Sequence, residues 1–523
     1  MAAKLPTRPA VRRCASAGVL VLALFGSGPP VTATAPSAQP DLTRFYRQKV
    51  TWSACRGSEA AKDMQCGKVT VPLDYARPDA GTLDLALARY RATGPSQGSV
   101  VLNFGGPGGA GISSLAASSK AYLGLTNGYD VVTFDPRGVG RSSPVSCGEG
   151  ASGTSDATED GAEHRDPRAL MAMLRKVAAD CTEYSGPVLP HIGTVNASRD
   201  LDVIRQALGD DRLNYLGFSY GTRLGAVYAA EFPAKVGRMA LDGVDTLTEP
   251  LQEQARVGAE GQQTALDEFL DWCVKDLGCP FGRDRRAAGD QVLKLVRSLD
   301  SRPLATGSGG RLTGHDLVSA IGQGLYSEEL WPSLERAVVS LVDDGDTRGV
   351  QRLATGGLAP SMRSGGGLVD QADVPTDNLS AAMMAINCAD DPDRPSSAQI
   401  TKDFERLRAS YEEASPVFGR YRLAELLMCY GRERGTDFIR DRVKNVDSAK
   451  LLLVGTRGDP ATPYRWTTET ADRLGPSAVV LDNRGEGHTG YSSSKCVHRK
   501  IDDFLLYGSL PADGSSCAAD PPG

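Results

Sequence analysis

The chain has 523 residues, 41% of them hydrophobic, and a formal net charge of −6. That length supplies a large core and more than one minimal domain requires. An acidic balance without a long basic run excludes nucleic acid as a partner. In chain order, the first segment reads as an export signal. Lys4, Arg8, Arg12 and Arg13 precede the apolar stretch GVLVLALFG, and VTATA offers small residues for cleavage near Ala33 or Ala35. The apolar run is short for a membrane span, so residues 1–35 are expected to be removed rather than to anchor the chain. Arg12 and Arg13 give a weak twin-arginine signature. With no acid in residues 1–35, losing those four cations takes the charge from −6 to −10. Eleven cysteines less Cys14 leave ten, an even number suited to an oxidising, extracellular compartment. Sequence does not fix connectivity. Pairing of loop-closing neighbours joins Cys55 to Cys66, Cys147 to Cys181, Cys273 to Cys279, Cys388 to Cys429 and Cys496 to Cys517.

The segment GKVTVPLDYARPDAGTLDLALARYRA alternates apolar and polar residues about a turn-rich break, which predicts a hairpin. GSVVLNFGGPGGAG and YDVVTFDPRGVGRSSP each run from a strand into a glycine-bearing loop. Residues 147–166 read as a solvated surface loop. SRDLDVIRQALGDD has helical spacing ending near Gly209, and it leads into the strand-turn-helix stretch LNYLGFSYGTRLGAVYAAEFP and the strand VGRMALDGVD. Strands alternating with helices imply an α/β fold, with a mostly parallel sheet covered by helices on both faces. Over residues 246–429 the pattern turns to amphipathic helices such as ALDEFLDWCVKDL and RLAELLMCYG, joined by connectors such as TGGLAPSMRSGGG, with no sheet signal. This region reads as a helical insertion between core residues 36–245 and 430–523. The core resumes with LLLVGTRGDPATP, the helix TTETADRLG, SAVVLDNRGEGHTG and the last helix HRKIDDFLLYG.

A serine needs a base to remove its proton, a third group to orient that base, and donors for the oxyanion. GFSYG places Ser219 between Gly217 and Gly221 in a turn too sharp for side chains at either glycine. The N–H of Tyr220 is one expected oxyanion donor, and the loop Asn103 to Gly111, with Gly105 and Gly106, supplies the other, assigned to Gly106. That loop lacks the Lys-Ser/Thr ending of a phosphate loop. Of five histidines, His488 alone lies in a Gly-rich loop after a late core strand. Asp459, in GDPATP, is the preferred acid, in the chain order Ser, Asp, His. Asp242 is the alternative acid and reads as structural. No metal or cofactor motif is present.

With these residues placed, the chain resembles the secreted actinobacterial tripeptidyl aminopeptidase group of α/β-hydrolases. NFGGPGGAG, FDPRGVGRSSP, RDLDVIRQALG, LNYLGFSYGT and GDPATP carry the resemblance, and the first two also resemble prolyl aminopeptidases. The resemblance implies an α/β-hydrolase fold with the insertion as a lid. It also implies a Ser-His-Asp peptidase that removes residues or tripeptides from the free N-termini of short peptides or polypeptides; a monomer without a cofactor is expected, with the oligomeric state left open by the sequence. Such an enzyme must anchor a free ammonium. Asp390, in AINCADDPDRP, matches the group's Cys-x-Asp pattern and is the candidate, against a solvated acidic turn as the alternative. Asp135 and Arg137 are expected to pair and hold their loop, and Thr462 to support Asp459. A prolyl aminopeptidase, or an esterase or lipase of the same fold, is the competing expectation.

Overall fold

A run such as Val100-Val101-Leu102 has no polar face to give to water, and it folds as a strand buried on both sides. The computed structural model describes residues 40–56, 63–148, 167–307, 309–356, 374–423, 427–432, 434–435, 437–440 and 442–520. Its strands are β1 (Ser53–Ala54), β2 (Gln65–Pro72), β3 (Thr82–Tyr90), β4 (Ser99–Asn103), β5 (Asp130–Phe134), β6 (Leu213–Phe218), β7 (Val236–Asp242), β8 (Leu304–Ala305), β9 (Arg311–Leu312), β10 (Leu451–Gly458), β11 (Ala478–Glu486) and β12 (Ser515–Ala518). Ten of them form one sheet in the order β1-β2-β3-β5-β4-β6-β7-β10-β11-β12. The expected hairpin is β2–β3, which pairs antiparallel, and β3 joins β5 antiparallel. From β5 through β12 every pairing is parallel.

Helices cover both faces. Thr194–Leu208 and Tyr220–Glu231 bury Leu201, Ile204, Leu224 and Val227 against one face, while Gly111–Ser118 and Lys495–Tyr507 bury Leu115, Ile501 and Leu505 against the other. Each such side chain stabilises the fold by roughly 1.5–3 kcal/mol relative to exposure. Gly209 ends the first of these helices as expected. Its φ of 89° lets its N–H reach back to the carbonyls of Arg205 and Gln206.

Between β7 and β10 lie helices Leu251–Cys273, Arg285–Ser301, Gly314–Gly324, Trp331–Asp344 and Arg348–Ala354, which share a core of their own around Phe269, Leu317 and Trp331. The helix Asn378–Asp390 differs: Ala381, Ala385 and Ile386 belong to the core beneath the sheet. The insertion also holds the small hairpin β8–β9, whose two-residue strands are too short to leave an alternating signature. The helix Pro167–Ser185 and strand β12 were likewise illegible, the first following a polar stretch, the second being four residues long.

The five cysteine pairs form as loop-closing neighbours: 55 with 66, 147 with 181, 273 with 279, 388 with 429 and 496 with 517. The candidate signal at residues 1–35, with Cys14, lies outside the described residues, as do residues 149–166 of the expected surface loop, most of the connector TGGLAPSMRSGGG, and Ala424, Glu425 and Leu426 of RLAELLMCYG. Among the described residues no helix is long and apolar enough to cross a membrane.

One expected pair is corrected. Arg137 does not bond Asp135. Its guanidinium is fully buried and makes a two-pronged bond to Asp200 at 2.6 and 2.7 Å. Asp135 instead accepts the backbone N–H groups of Ile112 and Arg141, at 3.0 and 2.9 Å. A buried guanidinium is best matched by a carboxylate that meets it with both oxygens, and Asp135 has turned its own to the start of the helix Gly111–Ser118 and to the Arg141 N–H.

Candidate active site

Ser219 sits between the end of β6 and the helix Tyr220–Glu231, with φ 54° and ψ −127°. A non-glycine residue at positive φ is costly and is held there only by its surroundings. The glycines on either side allow that turn. A Cβ on Gly217 would stand 2.5 Å from the Gly221 carbonyl oxygen, and one on Gly221 2.6 Å from that of Asn103. Ser219 donates its N–H to the Asp242 carbonyl at 3.0 Å. Tyr220 is the first residue of the helix, so its N–H has no partner within the helix and points out of its N-terminus. The loop after β4 closes on this point. Gly105, with φ +84°, lies so near that a Cβ would stand 3.0 Å from Ser219 Cβ and 3.2 Å from Tyr220 N. Gly106 follows with φ +114° and a cis bond to Pro107.

Asp459 and His488 meet at the ends of β10 and β11. His488 Nδ1 lies 3.0 Å from both Asp459 carboxylate oxygens. The buried carboxylate also accepts the N–H groups of Ala461, Thr462 and Thr489, and the Thr462 hydroxyl at 2.8 Å. Burial raises the Asp459 pKa, but the His488 charge and these donors hold it below its usual 3.8. Burial alone would lower His488. The facing Asp459 outweighs it, so the imidazole pKa lies above 6.5. Gly243, the residue after β7, packs against this pair: a Cβ there would come within 3.1 Å of Thr462 Oγ1 and 3.5 Å of His488 Cε1.

Asp242 accepts the N–H groups of Gly490 (2.9 and 3.0 Å) and Tyr491 (2.7 Å), clamping the loop that carries His488. Its burial pushes its pKa up to about 6. Asp390 is placed otherwise than a solvated turn would be. It is 4% exposed, accepts from Thr194 N–H at 2.7 Å and Thr194 Oγ1 at 2.6 Å, and stands 3.5 Å from Arg223. Two groups escaped the sequence reading. The Tyr326 carbonyl accepts the His488 N–H at 2.9 Å, and its ring stands edge-on to the imidazole at 5.1 Å. Glu486, two residues before His488, has a buried Oε2 without a hydrogen-bond partner among the described residues, and burial with Glu268 and Glu328 pushes its pKa up to about 8. Glu486 is the last residue of β11, and nothing in the sequence pattern sets it apart. Cys273, Cys279 and Glu335 bring metal-ligand atoms together, but the two sulfurs are joined in a disulfide, which removes the thiolates a metal would bind.

The sheet and the family matches define a hydrolase of the α/β-hydrolase fold, with residues 98–343 matching the family described as alpha/beta hydrolase fold and residues 415–517 that described as TAP-like protein. The chain is 33% identical to serine protease Hip1 of Mycobacterium tuberculosis over 529 residues, 96% of each chain. It is 32% identical to tripeptidyl aminopeptidase of Streptomyces coelicolor over 499 residues, 91% of this chain and 87% of that one. Carboxylesterase B of Mycobacterium tuberculosis is 30% identical over 543 residues, 99% of this chain and 100% of that one. The chain belongs to this TAP-like family of α/β-hydrolases and is a serine peptidase of that fold.

Proposed function

We propose that the protein is an exported aminopeptidase that releases short peptides, tripeptides among them, from free N-termini through an acyl-enzyme on Ser219. The observation that carries the reading is the held positive φ of Ser219 at the start of the helix that Tyr220 opens, together with the Asp459–His488 pair at the ends of β10 and β11. His488 takes the Ser219 proton as the hydroxyl attacks the scissile carbonyl, and Asp459 holds the imidazole with its Nδ1–H inward. The N–H groups of Tyr220 and Gly106 receive the oxyanion. His488 then returns the proton to the leaving amine, and water repeats the sequence on the acyl-enzyme.

A free-amine substrate calls for an unsatisfied carboxylate. Asp390 does not offer one, since Thr194 and Arg223 occupy it. Glu486 is the candidate: among the described residues its buried Oε2 has no hydrogen-bond partner, and Glu268 and Glu328, both from the insertion, add negative charge around it that a substrate ammonium would offset. The five disulfides and the N-terminal pattern support export.

The test is hydrolysis of matched chromogenic substrates by the mature protein, with Ser219→Ala as control. Cleavage of a free-amine tripeptide anilide but not of its acetylated twin is expected. A prolyl anilide separates one-residue from three-residue release. The carboxylesterase relative makes the ester reading the rival, and activity on a short ester alone would establish it in place of the peptidase.

A further inference from the structure

Asp390 lies at the end of the helix Asn378–Asp390, 171 positions after Ser219 in sequence, yet it reaches the helix behind Ser219 at two points. The first runs through Thr194. Thr194 Oγ1 donates to Asp390 Oδ2 at 2.6 Å, and Tyr220 Oη lies 2.7 Å from the same Oγ1. A threonine hydroxyl has one proton. Since it goes to Asp390, the Tyr220 hydroxyl must donate to Thr194, and the chain has one direction: Tyr220 to Thr194 to Asp390. The second point is Arg223, one turn beyond Tyr220 on the same helix face. Its buried guanidinium stands 3.5 Å from Asp390, 2.8 Å from Asp245 and 3.1 Å from the Asn387 amide oxygen.

The other Asp390 oxygen accepts the Thr194 N–H at the start of the helix Thr194–Leu208, where a carboxylate also meets the positive helix end. Asp390 is itself fixed. The disulfide from Cys388 to Cys429 ties down its helix two residues earlier, and Arg394 donates to the Cys388 carbonyl.

We propose that Asp390 is a positioning residue for the oxyanion site, holding Tyr220 through Thr194 and the same helix through Arg223, so that the Tyr220 N–H is aimed before substrate arrives. This rests on the reading of Ser219 as nucleophile and Tyr220 N–H as oxyanion donor. A donor that is misaimed loses its advantage in the transition state while the ground state is bound as before. The signature is therefore a loss in kcat that is the same for every acyl substrate.

Four variants of the mature chain test this: Thr194→Val, Tyr220→Phe, the two together, and Asp390→Asn. Each is assayed on a free-amine tripeptide anilide and on p-nitrophenyl acetate, with fluorophosphonate labelling rates and thermal unfolding alongside. Thr194→Val and Tyr220→Phe are each expected to lower kcat about 10- to 100-fold on both substrates with KM unchanged. The double variant is expected to lose no more than either single one, because both break one chain, and labelling should slow in parallel. Asp390→Asn should lose at least as much on the ester as on the peptide. Losses that multiply in the double variant would overturn the proposal. So would a rise in KM confined to the free-amine peptide in Asp390→Asn, which marks an ammonium anchor. If Asp390→Asn does not fold, the threonine and tyrosine variants decide the matter. Failure of the underlying reading is seen separately, as wild-type protein that fluorophosphonate does not label at Ser219, and it removes the proposal with it.

Discussion

His488 donates its backbone N–H to the carbonyl of Tyr326 at 2.9 Å, across the boundary between the sheet and the helical insertion. Gly487 makes that approach possible. Its φ is +86°, and a Cβ there would lie 2.8 Å from the Tyr326 oxygen. The insertion is thus part of what places the imidazole. Gly487→Ala is expected to destabilise the protein by roughly 1–3 kcal/mol, through the clash and the disfavoured backbone together. It should also lower kcat, since the His488 loop can relieve the clash only by moving. Denaturant unfolding and steady-state kinetics on one preparation check both; full activity with unchanged stability would dissolve the link.

The Asp459–His488 pair gives opposite pH dependences to activity and stability. His488 must be neutral to act as base, and its pKa is raised, so kcat/KM should fall as pH drops through a midpoint above 6.5. Because that folded pKa exceeds the unfolded one, its contribution to stability is fully present below about 6.5 and is lost as pH rises through the folded value. Asp459 has the reverse sense. Its pKa is lowered, so its contribution is present above 3.8 and is lost as pH falls through the folded value. Asp459→Asn should cost about 10⁴ in kcat and move the acid limb downward, because the group that raises the imidazole is gone. An acid limb left in place would mean that another group sets it.

The parts of this site that could be read from sequence are those made by neighbours in the chain. Ser219 announces itself through Gly217 and Gly221, and the Thr462 support of Asp459 lies three residues away. The parts that could not be read are contacts between distant segments. Arg137 finds its carboxylate 63 residues on, at Asp200, although Asp135 is two residues away. Asp390 was visible as an acid, but Thr194, 196 positions earlier, was not visible as its partner. Strand and helix periodicity record which face is buried, not which buried polar groups will meet.

Ser219→Ala should abolish fluorophosphonate labelling and reduce kcat by about 10⁶, with thermal unfolding unchanged because alanine keeps the same small volume in the turn. Gly105→Ala separates the oxyanion loop from the nucleophile. Its Cβ would lie 2.5 Å from the Phe218 carbonyl and 3.0 Å from Ser219 Cβ, forcing the loop outward. A loss of about 10²–10³ in kcat is expected, the size associated with one missing oxyanion donor. Labelling of Gly105→Ala at the wild-type rate would separate the loop from catalysis.

Glu486 makes the last prediction, because its protonation and that of the substrate are linked. With a pKa of about 8, the free enzyme holds this carboxyl mostly protonated at pH 7. An α-ammonium, whose own pKa is about 7.7–8.0, is bound by the carboxylate and not by the acid. Binding a free-amine peptide must therefore release a proton from Glu486. KM for such a peptide should fall as pH rises from 6 toward 8, before the amine itself deprotonates. In Glu486→Gln, KM should be about tenfold higher or more, as the loss of a charged hydrogen bond implies, and the slope with pH should disappear. The acetylated twin carries no cation for Glu486 to hold, so neither protein should cleave it. Proton uptake or release on binding, read by calorimetry in buffers of different ionisation enthalpy with the Ser219→Ala protein, measures the linkage directly. Binding without proton release would place the ammonium on a carboxylate that is already ionised, and Glu486 would no longer be that group.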